Sequence, residues 1–169
     1  MKQQDIYRCV TRHLLRRLDG KVPLHQQGTR WAGAKVRGWC ELRIVSVQFA
    51  GRVYGEDEGT AQYELEVHAA QATPKGDDPE VIHVLVDEVR REIDNTFHEA
   101  GVASARAVVI RDRDEIVRGL WQWGPCSTEM EREPREVFVD GVSAGTCLSA
   151  TIRGTAQFSA ASSAEVLAE

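Results

Sequence analysis

Four cysteines, Cys9, Cys40, Cys126 and Cys147, stand too far apart in sequence for a CxxC redox pair or half of a zinc site. The five histidines, His13, His25, His68, His83 and His98, show no HExxH or comparable ligand spacing. No nucleophile sits in a GxSxG elbow. Gly51, Gly55 and Gly59 flank a turn rather than open a helix, which removes a phosphate-cradling loop. Cys40 or Cys126 can be drawn as a dyad with His68 or His83, but no spacing brings them together. The sequence therefore offers no catalytic, cofactor-binding or metal-ligating set. No apolar stretch approaches the ~20 residues of a bilayer-spanning helix, and the basic N-terminus carries no apolar h-region. The expected setting is a cytosol, with reduced thiols, unless the protein leaves inside an assembly. In a particle exposed outside the cell, disulfides between subunits are the alternative.

What is present is a core-forming composition. Apolar residues make up 42% and charged residues 28% of 169 residues, enough to bury a core and too apolar for wholesale disorder. The length suits one domain. The net charge of −5 is uneven. Residues 1–55 carry eleven Lys and Arg against three acids, and the remainder carries ten against twenty-three. Either the surface is simply uneven, or the subunit is dipolar and its basic face meets an acidic one on a copy or partner. The arginines Arg12, Arg16 and Arg17 lack interleaved aromatics, and the pI of about 5.6 argues against a dedicated nucleic-acid binder.

Hydrophobic periodicity divides the chain. Ile6, Val10, Leu14 and Leu18 recur every four residues, which predicts a helix over 3–18 lying across a sheet and stopped by Asp19-Gly20. Residues 21–40, with Pro23, three glycines, Trp31 and Trp39, read as a long connector whose tryptophans pack at the edge of the core. Leu42 to Phe49 is apolar on both faces and reads as a central strand. After the turn at 55–59, Ala61, Tyr63, Leu65, Val67 and Ala69 alternate with Gln62, Glu64, Glu66 and His68, a strand with one core face and one polar face. Asp78, Pro79 and Glu80 start a helix whose broad stripe runs from Val81 to Phe97. A strand centred on Val108–Ile110 follows. Residues 119–145, with Trp121, Trp123 and Pro125, read as a projecting β-rich insertion. Within it, Val137 to Gly141 looks like half a hairpin. A last alternating strand spans Leu148 to Phe158, and residues 159–169 form a flexible tail. The sum is α+β, a mixed-sheet sandwich with two helices on one side.

The most specific stretch is Gly51-Arg52-Val53-Tyr54, leading through Gly55-Glu56-Asp57-Glu58-Gly59 into the Gln62 to His68 strand. Together with the short N-terminal helix, the helix after Pro79 and the final Thr/Ala strand, this order resembles the lambda-like tail terminator family of tailed phages. The similarity covers residues 3–110 and 146–158; the 21–40 connector and the 119–145 insertion depart from it. The resemblance implies a virion protein, assembled in the host cytoplasm, that forms a homohexameric ring on the head-proximal end of the tail tube. Such a ring ends tube polymerisation and presents a head–tail joining surface. Its implied partners are other copies of itself, the tail tube protein and a neck or connector protein, with a sheath as a further contact and DNA only as passing cargo. Expected lumen or subunit contacts are Glu64, Glu66, Arg12 and Arg16, and expected tube or neck contacts are Glu56, Asp57, Glu58, Trp121 and Trp123. An acidic wall of Glu64 and Glu66 would repel DNA phosphates and ease their passage. Two rival readings are another neck or head-completion ring protein, and a small enzyme or ligand-binding module of the same sandwich class.

Overall fold

The computed structural model describes residues 1–25, 37–53, 56–70, 80–93 and 107–160, with the side chains of 51–53 and 56–57 outside that description. Its elements are α1 (Gln3–Arg17), β1 (Leu24–His25), β2 (Gly38–Val53), β3 (Glu56–Ala70), α2 (Glu80–Ile93), β4 (Val108–Arg111), β5 (Val117–Met130), β6 (Arg135–Val139) and β7 (Val142–Ser159). The strands form one mixed sheet in the order β1-β2-β3-β7-β5-β4, and β6 continues the pairing along β7. Only β1 runs parallel to its neighbour. Both helices pack on one face, so the α+β class with two helices on one side of a mixed sheet holds.

Sequence periodicity sets that face. In α1, Ile6, Val10, Leu14 and Leu18 are at most 1% exposed, and Gly20 takes the positive φ (73°) that stops the helix. In β3, Ala61, Tyr63, Leu65, Val67 and Ala69 all turn to the core. In β7, Ala150, Ile152, Ala156 and Phe158 do the same. Ile82, Val86, Val89 and Ile93 supply the buried stripe of α2, each worth ~1.5–3 kcal/mol when fully buried. Phe97, Gly101 and the Asp77–Pro79 helix start lie outside the described residues, as do Trp31 and the tail from 161.

An ion cluster around a buried carboxylate ties the end of α1 to α2. Glu92, 5% exposed, accepts hydrogen bonds from Arg17 Nε at 2.7 Å and Lys21 Nζ at 2.8 Å. Burial pushes its pKa up, but the bonds from Lys21 and Arg17 outweigh that and hold it below the usual 4.5. Its stabilising contribution is therefore complete above about pH 4.5 and is lost as pH falls through the lower folded value.

Two expectations are corrected. The segment Leu42–Phe49 is not a central strand covered on both sides. β1 pairs only with Cys40 and Glu41, so among the described residues the outer edge of β2 is unpaired from Leu42 onward. The register slips at Val45 and again at Ala50, two bulges that turn apolar side chains outward, leaving Val45 51% and Phe49 46% exposed.

Residues 119–145 likewise do not project as a unit. β5 lies inside the sheet between β7 and β4, and Trp121 and Trp123 are 0% and 1% exposed. Their rings meet edge to face at 5.4 Å, and Tyr63 caps Trp123 at 4.9 Å. The Tyr63 ring in turn lies over Gly154, where any Cβ would fall 2.4–2.9 Å from it. Pro125 is tolerated because the register slips between Trp123 and Cys126, placing it in a bulge. Only the β6–β7 end leaves the body, as a hairpin closed by Asp140 and Gly141, both at positive φ. It does not project freely either. A second apolar cluster joins Val137, Val139, Ala144 and Cys147 to Trp39 of β2, and Asp140 meets His25 of β1 at 3.1 Å. The arm thus folds back over the sheet from β7 to β1, three strand spacings or roughly 14 Å.

Truncating the aromatic stack should be severe. Trp123→Ala is expected to cost about 3–5 kcal/mol, read as a lowered urea midpoint at unchanged slope. A projecting Trp123 would leave the midpoint almost unmoved.

Candidate functional site

Alternation in β3 sends Glu64, Glu66 and His68 to the sheet face opposite the helices. Register then decides what they meet. Arg153 of β7 stands opposite Glu64 and donates through Nε to its carboxylate at 2.9 Å, while its Nη1 donates to Glu129 at 2.6 Å. Arg43 of β2 approaches Glu64 from the other side at 3.8 Å. The hydrogen bonds it donates to Glu64 and Glu129 hold the Arg153 pKa above its ordinary value. The expected acidic wall is therefore a cross-strand ion ladder, with Glu64 flanked by two guanidinium groups. Arg43, Glu129 and Arg153 escape sequence reasoning because residues 89 positions apart become neighbours only through the register.

Farther along the same face the polar side chains are sealed. His68 and Ser149 are 1% and 2% exposed, His68 Nδ1 and Ser149 Oγ lie 2.9 Å apart, and the imidazole stacks against Trp39 at 4.8 Å. His68 Nε2 has no hydrogen-bond partner and sits 3.8 Å from carboxylates of both Glu41 and Glu66. A Ser–His–carboxylate set looks like hydrolase machinery, yet a nucleophile buried beneath Trp39 and the arm meets no substrate. The drawn Cys40–His68 dyad fails on geometry as well: Cys40 belongs to the helix-side core, while His68 faces the other way. His83 is exposed on α2.

The thiols are quiet. Burial and then the Glu41 carboxylate push the Cys40 thiol pKa far up, and burial pushes Cys147 up to about 11. Cys9 is occupied at the edge of β4, accepting from the Arg111 N–H at 3.3 Å and donating to the Arg111 carbonyl at 3.4 Å. Among the described residues no three His, Cys, Asp or Glu side chains converge as a metal would require.

Arg12 and Arg16 do not share a surface with Glu64 and Glu66. They lie on the outer side of α1, across the sheet, lining a groove of about 490 Å³ between α1 and β4. Arg8, His13, Arg111 and Glu115 complete much of its lining. Arg12 reaches Glu115 at 3.7 Å, and Arg8 Nη2 donates to the Arg111 carbonyl at 2.7 Å. Burial first, then neighbouring Arg17, holds the His13 pKa below 6.5. Of the expected tube or neck contacts, Glu58 is exposed, the side chains of Glu56 and Asp57 lie outside the described residues, and Trp121 and Trp123 belong to the core. The alternation of buried Gly119, Trp121 and Trp123 with less buried Leu120, Gln122 and Gly124 is the signal that identifies β5 as a body strand.

Compared with known proteins, the chain matches no family model and no curated protein. Its candidate surfaces are thus defined by geometry: an ion ladder on one face, a basic groove at one end, and a bulged open edge at the other.

His68 gives this region a pH signature. Burial, then the positive charge of Arg135, lowers its pKa from 6.5 to about 4. The unfolded chain therefore binds more protons between those values, so stability is complete above about pH 6.5 and falls as pH drops toward 4. The loss should reach roughly 3 kcal/mol. His68→Gln should flatten the slope of urea stability against pH across this window; an unchanged slope would place the titration elsewhere.

Proposed function

We propose that this protein is a structural ring component of a phage tail, a terminator that caps the head-proximal end of the tube. There it ends tube polymerisation and offers the surface on which the head is joined. The order of elements supports this reading: a short helix, a ribbon with an acidic turn, a half-polar strand, a second helix and a final Thr/Ala strand. The observation that carries it is the unlikeness of the two ends of the sheet. At one end β2 offers a bulged edge, and at the other α1 and β4 frame an arginine-lined groove. Contacts between unlike surfaces propagate head to tail, and when the rotation closes they form a ring that leaves no free end. Six copies is the order the resemblance implies.

In this reading the work is mechanical rather than catalytic, and its place is the neck of the virion after assembly in the host cytoplasm. The partners are further copies, the tube protein and a neck or connector protein, with a sheath at the periphery. DNA passes as cargo. If the ion ladder lines the lumen, its guanidinium groups temper the carboxylates, so the wall repels phosphates only modestly.

Native mass measurement over a concentration series, with and without reductant, tests the proposal when paired with negative-stain imaging. The expected species is a ring of six 18.8 kDa chains with a central hole, unaffected by reductant. Added to a polymerising tube protein, it should cap one end and halt growth. A ring that ignores tube ends and binds the head side would identify a neck or head-completion protein. Turnover of a small molecule by a monomer would overturn the structural reading altogether.

A further inference from the structure

The groove between α1 and β4 is a concave surface with a strong surplus of positive charge. Arg8, Arg12, Arg16 and Arg111 line it against a single acid, Glu115. Arg12 and Arg16 are exposed, and Arg12 has only the loose 3.7 Å contact with Glu115. One side of the groove is the outer edge of β4. The N–H and C=O of Arg111 point there and are taken by Cys9 and Arg8. By the alternation of an antiparallel strand, Val109 turns its own backbone groups the same way, into the groove. A strand edge flanked by arginines suits an acidic extended segment, which combines backbone pairing with charge. It suits nucleic acid poorly, because no Phe, Tyr or Trp lines it to stack a base.

The β2–β3 ribbon carries such a segment. The last residue of β3 to pair with β7 is Gly59, whereas β2 and β3 stay paired out to Val53 and Glu56. The β2–β3 ribbon therefore runs past the end of β7, and its β3 strand opens with Glu56-Asp57-Glu58. In sheet order the groove lies beyond β7 and β5, three strands from β3. The acids of the ribbon, Glu56, Asp57 and Glu58, are opposite in sign to the arginines of the groove, as a contact between unlike surfaces requires.

We infer that the acidic ribbon tip of one copy docks in the α1–β4 arginine groove of the next, and that this contact sets the head-to-tail direction of the ring. The inference rests on the ring reading and assigns its surfaces. It also moves Glu56, Asp57 and Glu58 from a tube or neck contact to a contact between subunits.

Charge exchange tests it on the full chain. Arg12→Glu/Arg16→Glu and, separately, Asp57→Arg/Glu58→Arg should each weaken assembly by at least about tenfold in a native-mass concentration series. The two pairs combined in one chain should recover most of that loss, a rescue that misfolded variants could not produce. Raising salt should weaken the wild-type ring in the same direction. A ring that keeps wild-type strength with either pair changed overturns the assigned contact and leaves the ring reading standing. A wild-type chain that stays monomeric throughout overturns both. Loss of binding to a short DNA duplex on Arg12→Glu/Arg16→Glu, with the ring mass unchanged, would assign the groove to nucleic acid instead and also overturn the contact.

Discussion

Strand β7 is the constraint on which the rest depends. Its backbone is paired along both edges, with β3 on one side and with β5 and then β6 on the other. No other described strand joins so many partners. Because side chains alternate, those pairings also decide both faces at once. Ala150, Ile152, Ala156 and Phe158 must pack beneath the helices, and Ser149 and Arg153 must meet whatever β3 presents opposite. A slip of one residue would bury Arg153 and expose Ile152. The ion ladder, the aromatic stack over Gly154 and the sealed His68–Ser149 pair are all consequences of one register.

The arm is the same constraint carried past the body. Where β3 ends, β7 loses its partner at Cys147 and continues with β6 alone. A two-stranded ribbon in water is marginal, so it must bury something. Here Val137, Val139 and Cys147 close over Trp39, and Asp140 meets His25. That covering keeps His68 dry and neutral. A serine and a histidine at hydrogen-bonding distance thus acquire a structural role: they satisfy each other's polar atoms where water cannot.

Much of the fold was legible because its signals are local. The four-residue stripe of α1, the strict alternation of β3 and β7, the stop at Asp19-Gly20 and the turn at Asp140-Gly141 each need only a few neighbouring residues. What escaped depends on who sits beside whom. Leu42 to Phe49 is apolar on both sides, as a central strand would be, yet its bulges at Val45 and Ala50 make it a blunted edge. Trp121 and Trp123 were obscured by the Pro- and acid-rich sequence around them, although their own spacing has the period of a strand. Glu64 looked like free negative charge until the register supplied Arg153. Sequence also does not say on which side of a sheet a helix will lie, so it leaves open that Arg12 and Arg16 stand across the sheet from Glu64 and Glu66.

The two edges of the sheet are the surfaces on which the proposed assembly would depend. An open sheet must dispose of two unpaired rows of backbone groups, and a monomer does so by bulging, charging or covering them. At the β4 end the covering is partial: α1 takes up the edge groups of Arg111 but leaves a groove beside Val109. At the β2 end the bulges break the edge, no described strand pairs it beyond Glu41, and Phe49 is left half exposed beside its contact with Phe158. Pairing like with like would oppose two bulged edges or two arginine clusters, and both are unfavourable. Joining unlike ends, as proposed, would set acid against arginine. In the proposed ring, contacts between such unlike ends would close on themselves and leave neither exposed.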